Sequence, residues 1–224
     1  DVERLHQIAE QTWVRHFDDR LGLSQEEMQQ LDGVPAQTLP VVERLLSDKP
    51  EHKVPWGDRK PPVAKDDPRN IWGFDMEAPQ YSFDRGELHN LSIQRGTLTV
   101  EERFKINDHI VQTLIMLSTL PFPRALRDVP QLAATHHEKL DGTGYPRRLG
   151  EDQLSVPDRV LAIADIFEAL TAADRPYKPA KTLSEAVRIM LFMAKDRHID
   201  GELLALFLRT GVHEQYGQLF LQPQ

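Results

Sequence analysis

Apolar residues recur at helical spacing along most of the chain. The opening segment VERLHQIAEQTW, residues 2–13, brings its apolar residues together on one side of a helix of about 3.6 residues per turn. A broader apolar face runs from Thr99 to about Ser118, and further helical patterns follow it. No segment of useful length alternates between apolar and polar residues as a half-buried strand would. The pattern predicts an all-α fold.

Capping signals mark the expected helix starts. A serine or threonine followed three residues later by an acid can form a capping box, in which each side chain bonds the backbone N–H of the other residue. Four pairs follow this pattern: Ser24 with Glu27, Thr99 with Glu102, Ser155 with Asp158, and Thr182 with Glu185. The helix that starts at Ser155 is expected to run to about Ala173.

Prolines and glycines add further boundaries. Proline is well placed in the first turn of a helix, so PVVERLL is expected to form a helix from Pro40. QLAATHHEK is expected to lie in a helix that starts at Pro130 and is closed by Gly142. Because glycine favours the position after a helix, ELLALFLRT is expected to be the last helix and to end at Gly211.

Three segments are expected along the chain. Residues 1–47 form a helical segment that packs on the main domain, and residues 96–224 belong to that domain. Residues 48–95 mix prolines with charges and show neither a helical nor a strand period, so they are expected to form an irregular connector or insertion. Its large aromatic residues, Trp56, Trp72 and Phe74, are expected to attach parts of it to the protein body.

Composition narrows the class of protein. With 40% hydrophobic and 28% charged residues, the chain is typical of soluble globular proteins, and no apolar run approaches the roughly 18 residues that span a bilayer. We therefore expect a cytoplasmic protein. The net charge of −8 argues against DNA as a partner. The absence of cysteine leaves only nitrogen and oxygen ligands for a metal.

The segment HHEKLDGTGYP, residues 136–146, concentrates chemically active side chains. Adjacent residues of a helix point about 100° apart, so His136 and His137 are not placed to chelate one ion together, but could reach two neighbouring ions. Paired cations about 3.5–4 Å apart suit phosphoester displacement. The alternative is a pair of surface histidines.

Two residues elsewhere extend this pattern. Asp165 lies in RVLAIADIFEAL, which is apolar on nearly every face, so its carboxylate is expected to be buried and to need a partner from another element. That partner is either a metal or the cation of an ordinary salt bridge. His109 is expected to be partly buried on its helix, as a ligand or as a core histidine.

The rest of the segment is expected to shape a turn. Gly142 and Gly144 permit positive φ angles and a close approach of the backbone to a ligand, and Pro146 stiffens the exit. Glu138 is expected to act locally as a hydrogen-bond partner, and Asp141 as a turn former.

Basic residues lie near these acids. In an acidic protein such local enrichment suits phosphate recognition, although a solvated helix end would explain it equally well. The residues are Lys139, Arg147, Arg148, Arg175 and Lys178.

Taken together, HHEKLDGTGYP and ADIFEALTAADRPYK resemble the HD-GYP family of bacterial cyclic di-GMP phosphodiesterases over about residues 90–216. The resemblance implies an all-α, HD-type metal-dependent phosphohydrolase bundle that holds two or three iron or manganese ions. It implies that a metal-activated hydroxide hydrolyses cyclic di-GMP to pGpG or further to GMP.

The resemblance also assigns roles to individual residues. As catalytic residues and metal ligands it implies His109, His136, His137 and Asp165. As substrate-binding residues it implies Gly144, Tyr145 and Pro146 in the signature loop, and Arg175 and Lys178 at the phosphates.

One departure from the family pattern is clear. The family carries a His-Asp pair followed by a lysine, whereas this chain contains no His-Asp dipeptide, and residues 108 and 109 show the reverse order. The pair is expected upstream of Asp1, together with a sensory or regulatory domain, or on another chain. Degeneration of the site is the rival explanation.

Two further functions therefore stay open. The first is a non-catalytic sensor or adaptor that binds cyclic di-GMP or a GGDEF-domain diguanylate cyclase. The second is a helical scaffold with no affinity for the nucleotide.

Overall fold

The computed structural model describes residues 2–94, 96–172 and 180–221. It divides into two units. The first comprises Asp1–Pro61 and Ala78–Ile106, and the second comprises Pro62–Glu77 and Asn107–Gln224. Helices dominate the described residues and strands are few and short, which confirms the predicted all-α class.

The first unit contains short helices and two small antiparallel ribbons. Its elements are α1 (Val2–Ala9), β1 (Thr12–Arg15), α2 (Gln25–Gln30), β2 (Val41–Arg44), β3 (Lys53–Val54), β4 (Phe83–Asp84) and α3 (Glu87–Leu91). Strand β1 pairs with β2, with Thr12 opposite Arg44, and β3 pairs with β4, with Lys53 opposite Asp84.

Two sequence predictions for this unit were wrong. Residues 2–13 do not form one helix, because α1 ends at Ala9 and β1 follows, and Pro40 precedes strand β2 rather than starting a helix. Tertiary interactions explain the difference. The guanidinium of Arg15, at the end of β1, is 2% exposed and lies 3.1 Å from Glu43 of β2, an ion pair that a helix at either segment would not bring together.

Long helices build the second unit. Helix α4 (Val100–Ser118) begins in the first unit and ends in the second, as its apolar face predicted. It is followed by α5 (Val129–Ala133), α6 (Val156–Thr171), α7 (Leu183–Lys195), α8 (Gly201–Arg209) and α9 (Val212–Phe220). Helix α9 corrects the expectation that ELLALFLRT is the last helix. Gly211, with φ of 71°, connects the two helices rather than ending the helical region.

The core of the second unit lies between α6, α7 and α8. Its buried members are Ile163, Phe167, Ala186, Met190, Ile199 and Leu204. The ring of Phe167 also makes edge contacts with Phe207 and Tyr216, with centroids 5.2 and 5.5 Å away. Burial of each large apolar side chain contributes roughly 1.5–3 kcal/mol, so this cluster supports the face of α6 opposite to the solvent.

All four predicted capping boxes are present. Ser24 and Glu27, Ser155 and Asp158, and Thr182 and Glu185 exchange side-chain and backbone bonds at the starts of α2, α6 and α7. Thr99 and Glu102 do the same at α4. Helix α6 ends at Thr171, and Ala173, where it was expected to end, lies outside the described residues.

The irregular segment 62–77 belongs to the second unit and is fixed by its own bonds. Val63 and Phe74 are fully buried, and the N–H of Met76 donates to the carbonyl of Val63 at 2.9 Å. The Asn70 amide bonds three backbone groups of the segment. Burial of Phe74, with Trp72 stacked on it at 5.8 Å, confirms that large aromatics attach this segment.

No helix among the described residues is long and apolar enough to cross a membrane.

Candidate metal centre

Three histidine rings meet in the second unit. His109 comes from α4, and His136 and His137 come from the turn after α5. One ring nitrogen from each lies within 4.8 Å of the other two. The ring centroids of His136 and His137 are 4.3 Å apart, and that of His109 lies 5.2 Å from His137. Such a group of imidazoles could hold a metal ion.

The two adjacent histidines are not on a helix, which corrects the sequence prediction. Helix α5 ends at Ala133, well before Gly142. In the turn that follows, the Thr135 hydroxyl lies 2.6 Å from the carboxylate of Asp158, which caps α6. Because the turn replaces the helical 100° rotation, the rings of His136 and His137 can approach the same point in space.

The tautomer of neutral His136 follows from its partner. Its Nδ1 lies 3.0 Å from the carbonyl oxygen of Ala133. A carbonyl oxygen only accepts hydrogen bonds, so Nδ1 carries the proton and donates. The other nitrogen, Nε2, then carries a free lone pair, which is the arrangement that metal-binding histidines use.

The protonation state of His137 suits metal binding. Burial, followed by the charges of His136, His109 and His198, lowers the pKa of His137 from 6.5 to about 4, while the charge of Asp165 acts in the opposite direction. The ring is therefore neutral at neutral pH, and a metal ion would not have to displace a proton from it.

Asp165 lies near this centre but is not buried. It is partly exposed on α6, because the helix turns Ile163 and Phe167, rather than Asp165, into the core. Its charge acts on His137 and also on Tyr145. The group of three close histidine donors does not include it. His109, expected to be partly buried, is exposed.

The loop that follows the histidines folds back onto them. The Tyr145 ring stacks on the His137 ring, with centroids 4.8 Å apart, and the Tyr145 N–H donates to the His137 carbonyl at 3.2 Å. Burial, with a contribution from Asp165, raises the pKa of Tyr145 to about 12. The phenol is therefore protonated at neutral pH and can donate a hydrogen bond.

The glycines of this loop have two different roles. Gly142 has the predicted positive φ, 75°. At Gly144 the requirement is space, since a Cβ there would lie 2.5 Å from Glu138 Cα and from Lys139 N. The predicted close approach is therefore to the chain's own backbone. Pro146 is fully buried, and its carbonyl accepts from Asp75 N at 2.8 Å.

The acids of the segment act locally, as predicted. Glu138 is 2% exposed and accepts from the N–H groups of Arg147 at 2.7 Å and Leu149 at 2.9 Å. Burial raises the pKa of Glu138, and these two bonds reduce the shift. Asp141 accepts from both the N–H and the hydroxyl of Thr143, which forms the expected turn.

The predicted basic group is only partly described. Arg175 and Lys178 lie outside the described residues. The Arg148 Nε donates to the carbonyl of Asp75 at 3.1 Å. Burial lowers the pKa of Arg147, whose guanidinium bonds Gln131. These two arginines thus serve the local structure.

Sequence reasoning missed His198. It lies between α7 and α8, and its charge contributes to the lowered pKa of His137. Burial, and then the charge of Lys139, lowers the pKa of His198 itself. The N–H of Asp141 also donates to the carbonyl of the preceding Arg197 at 3.1 Å. His198 is far from His137 in the sequence, so no local motif indicated that the two residues are neighbours.

Fold and site together define a helical domain with a histidine-lined candidate metal centre. A family model described as HD domain matches residues 40–203, well over half of the chain. The chain belongs to the HD domain family.

Curated relatives share parts of this chain. A protein from Vibrio cholerae named 3'3'-cGAMP-specific phosphodiesterase 1 is 34% identical over 139 residues, which cover 61% of this chain and 31% of that protein. A second, 3'3'-cGAMP-specific phosphodiesterase 2 from the same organism, is 45% identical over 85 residues, covering 38% of this chain and 16% of the relative. The cyclic di-GMP phosphodiesterase of Thermotoga maritima is 38% identical over 96 residues, covering 43% of this chain and 26% of that protein.

The chain thus spans about a third or less of the length of these relatives. The resemblance to bacterial cyclic di-GMP phosphodiesterases that the motifs predicted is confirmed at the level of the family.

Proposed function

We propose that this chain contributes the metal centre of a bacterial phosphodiesterase that hydrolyses cyclic di-GMP, with pGpG, or pGpG and GMP, as the product. The observation that carries the proposal is the cluster of His109, His136 and His137 nitrogens within 4.8 Å of one another, in a chain of the HD domain family.

The donor set fits a first-row divalent metal. Imidazole nitrogens bind such ions at about 2.1 Å, so two nitrogens on one ion lie at most about 4.2 Å apart. Three nitrogens that share one ion lie about 3.0–3.6 Å from one another, so nitrogens within 4.8 Å of each other would have to approach by up to roughly 1–2 Å to bind it. The chain has no cysteine, and imidazole nitrogen with carboxylate oxygen can bind iron or manganese, the metals that we propose. We propose Asp165 as an oxygen ligand of this site, and two or three ions for the complete site, to which the His-Asp pair expected elsewhere would also contribute.

Each residue has a separate proposed role around the scissile phosphodiester. A bound metal would polarise the phosphoryl oxygen and make a water molecule a better nucleophile at neutral pH. The phenol of Tyr145, protonated because its pKa is about 12, would donate a hydrogen bond to the substrate rather than act as a base. Gly144 and Pro146 hold that phenol in place, and Arg175 and Lys178 would contact the phosphates.

The substrate is proposed as a class with one leading member. The relatives are named for two cyclic dinucleotides, cyclic di-GMP and 3'3'-cGAMP. Each contains at least one guanine base and 3',5'-type phosphodiesters, so both belong in the assay. Cleavage of 3'3'-cGAMP with no cleavage of cyclic di-GMP would replace the leading substrate and leave the reaction type intact.

Metal content is the decisive test. The chain is purified anaerobically with iron or manganese, and metals per chain are counted by elemental mass spectrometry. We expect His136→Ala and Asp165→Asn to lose metal, because each removes a proposed ligand. Glu168→Gln is the matched control, since this exposed carboxylate lies on the same helix, three residues further on. Wild-type metal content in both ligand variants would refute the assignment.

Turnover is measured next on the metal-loaded chain by chromatography of the products. We expect pGpG to appear with cyclic di-GMP, and Arg175→Ala to raise KM more than it lowers metal content. A metal-loaded chain that binds neither nucleotide would refute the proposed substrate class.

A second candidate is a non-catalytic sensor or adaptor that binds cyclic di-GMP or a GGDEF-domain partner. The absence of a His-Asp dipeptide from all 224 residues favours it. Calorimetric binding of cyclic di-GMP without any product on chromatography would support this candidate against hydrolysis. We also propose that a sensory or regulatory domain precedes this region, and that the protein works in the cytoplasm.

A further inference from the structure

The carboxylate of Glu138 is buried without a role in the proposed ligand set. It is 2% exposed. Each of its oxygens accepts one backbone N–H, Oε1 from Arg147 at 2.7 Å and Oε2 from Leu149 at 2.9 Å. Burying a carboxylate is costly unless hydrogen bonds replace its water. In Glu138, next to His137, two backbone bonds replace that water, so the carboxylate fixes the positions of Arg147 and Leu149.

The bonds of Glu138 close the loop whose Tyr145 ring packs on His137. The loop leaves His137, turns at Gly144, and is tied back where the Tyr145 N–H meets the His137 carbonyl at 3.2 Å. Gly144 packs so tightly that no Cβ fits above Glu138. Glu138 then holds the far end of the same loop, two and four residues beyond Tyr145.

A second anchor supports the outer side of the loop. Asp75 donates its N–H to the Pro146 carbonyl at 2.8 Å and accepts from Arg148 Nε at 3.1 Å. Asp75 belongs to the irregular segment 62–77, which is itself fixed by Asn70 and by the burial of Phe74. Glu138 and Asp75 therefore hold the loop by separate sets of hydrogen bonds.

We propose that Glu138 is a positioning residue. By accepting from Arg147 and Leu149 it holds the Tyr145 ring on His137, and the stacked ring fixes the orientation of the His137 imidazole. The part of this inference that concerns metal rests on the proposed function, whereas the part that concerns ring position does not.

The chemistry of the contact makes the role testable with an isosteric change. Both partners of Glu138 are N–H donors, and a carboxylate offers two acceptor oxygens. In Glu138→Gln one oxygen becomes an NH₂ group, which cannot accept from the facing N–H. Glu138→Gln therefore loses one of the two bonds to Arg147 N and Leu149 N with almost no change in side-chain size. Glu138→Asp keeps both oxygens but shortens the reach by one methylene.

The matched control is Glu185→Gln. Glu185 lies in the same unit, and its carboxylate also accepts a backbone N–H, that of Thr182 at 3.0 Å. It caps α7, away from the loop. This variant controls for the loss of a carboxylate-to-backbone bond that only affects stability.

The first readout is the chemical shift of the His137 ring protons, measured by NMR in the metal-free protein. A ring stacked at 4.8 Å shifts the His137 carbon-bound protons by its ring current, and Tyr145→Leu defines the unstacked position. We expect Glu138→Gln to move these resonances more than half of the way toward that position, and Glu138→Asp to move them in the same direction. Glu185→Gln should leave them in place.

The second readout is manganese affinity, titrated in the same variants. Because Glu138 acts on His137 through the Tyr145 ring, and a stacked ring pair is worth roughly 2- to 12-fold in affinity, we expect Glu138→Gln to weaken manganese binding by no more than that factor. Glu185→Gln should bind manganese as wild type. Unmoved His137 resonances in both Glu138 variants would overturn the proposal. If the resonances move but wild-type protein binds no metal, the proposed function fails and the positioning role stands.

Discussion

The imidazole of His137 and the phenol of Tyr145 lie nearly parallel, with centroids 4.8 Å apart and planes inclined by 22°. A backbone bond from Tyr145 N–H to the His137 carbonyl joins the same two residues. The charge of Asp165 acts on both rings: it adds to the rise in the pKa of Tyr145 and opposes the fall in the pKa of His137, which burial keeps lowered. The loop that carries Tyr145 is therefore joined to the histidine pair by ring stacking and by a backbone hydrogen bond.

Removal of the Tyr145 ring should weaken metal binding, whereas removal of its hydroxyl should not. A stacked aromatic pair is worth about 0.5–1.5 kcal/mol, which corresponds to roughly 2- to 12-fold in affinity. We expect manganese to bind Tyr145→Leu weaker by this factor and Tyr145→Phe as wild type, in a fluorescence or calorimetric titration. Equal affinities of Tyr145→Leu and wild type would show that the stacking does not orient His137.

A methyl group at Gly144 should be destabilising, but one at Gly150 should not. The Cβ of Gly144→Ala would lie 2.5 Å from the backbone of Glu138 and Lys139, whereas a Cβ at Gly150 meets nothing within 4 Å. Overpacking costs roughly 1–3 kcal/mol. We expect the free energy of unfolding in urea to fall by this amount for Gly144→Ala only. Equal losses in the two variants would contradict the packing of the loop on Glu138.

Truncation of Phe167 should test the helical core. Phe167 is 3% exposed among α6, α7 and α8, whereas Phe192 on α7 is 62% exposed. Removing a buried phenylalanine costs roughly 3–5 kcal/mol, and surface changes usually cost no more than about 0.5 kcal/mol. In urea, Phe167→Ala should therefore lower the free energy of unfolding by roughly 3–5 kcal/mol, and Phe192→Ala by no more than about 0.5 kcal/mol. A large loss at Phe192 would indicate that this surface is covered.

The ion pair of Asp200 should make stability depend on pH. Burial acts to raise the pKa of Asp200, but the hydrogen bonds from Leu203, Arg159 and Glu202 outweigh it and hold the pKa below its usual value of 3.8. Because the folded state favours the carboxylate, its contribution is present above pH 3.8 and is lost as pH falls through the lower, folded-state pKa.

The measurement compares Asp200→Asn with wild type in urea from pH 7 to pH 3. Asparagine can still cap α8 but loses the pair with Arg159, 3.0 Å away. We expect the free energy of unfolding of Asp200→Asn to be lower than that of wild type by roughly 1–3 kcal/mol at pH 7, and this difference to narrow below pH 3.8. A deficit that is independent of pH would point to a structural effect unrelated to the charge.

Local signals in the sequence predicted much of the second unit. The capping boxes at Ser155 and Thr182 marked the starts of α6 and α7 correctly, because a cap depends on a side chain and a backbone N–H only three residues apart. The contiguous motif around His136 and His137 likewise identified the candidate centre, since its members are neighbours in the chain. Such features require no knowledge of packing.

The first unit could not be predicted in this way. Residues 12–15 and 41–44 have apolar spacing that a helix would also satisfy, and they become strands because each pairs with the other across an intervening helix. The ion pair of Arg15 with Glu43 forms only once that pairing exists. The spacing of apolar residues describes one segment at a time, so it could not distinguish a helix from a strand in these two segments.

By itself, then, the sequence determined the helical class, the helix starts and the identity of the histidines, because these depend on residues a few positions apart. Tertiary structure alone decided the turn that brings His136 and His137 together and the partial exposure of Asp165. It also decided the bonds that tie Glu138 to the loop and the placement of His198 near His137. These features depend on which elements pack together, and packing joins residues that the chain separates.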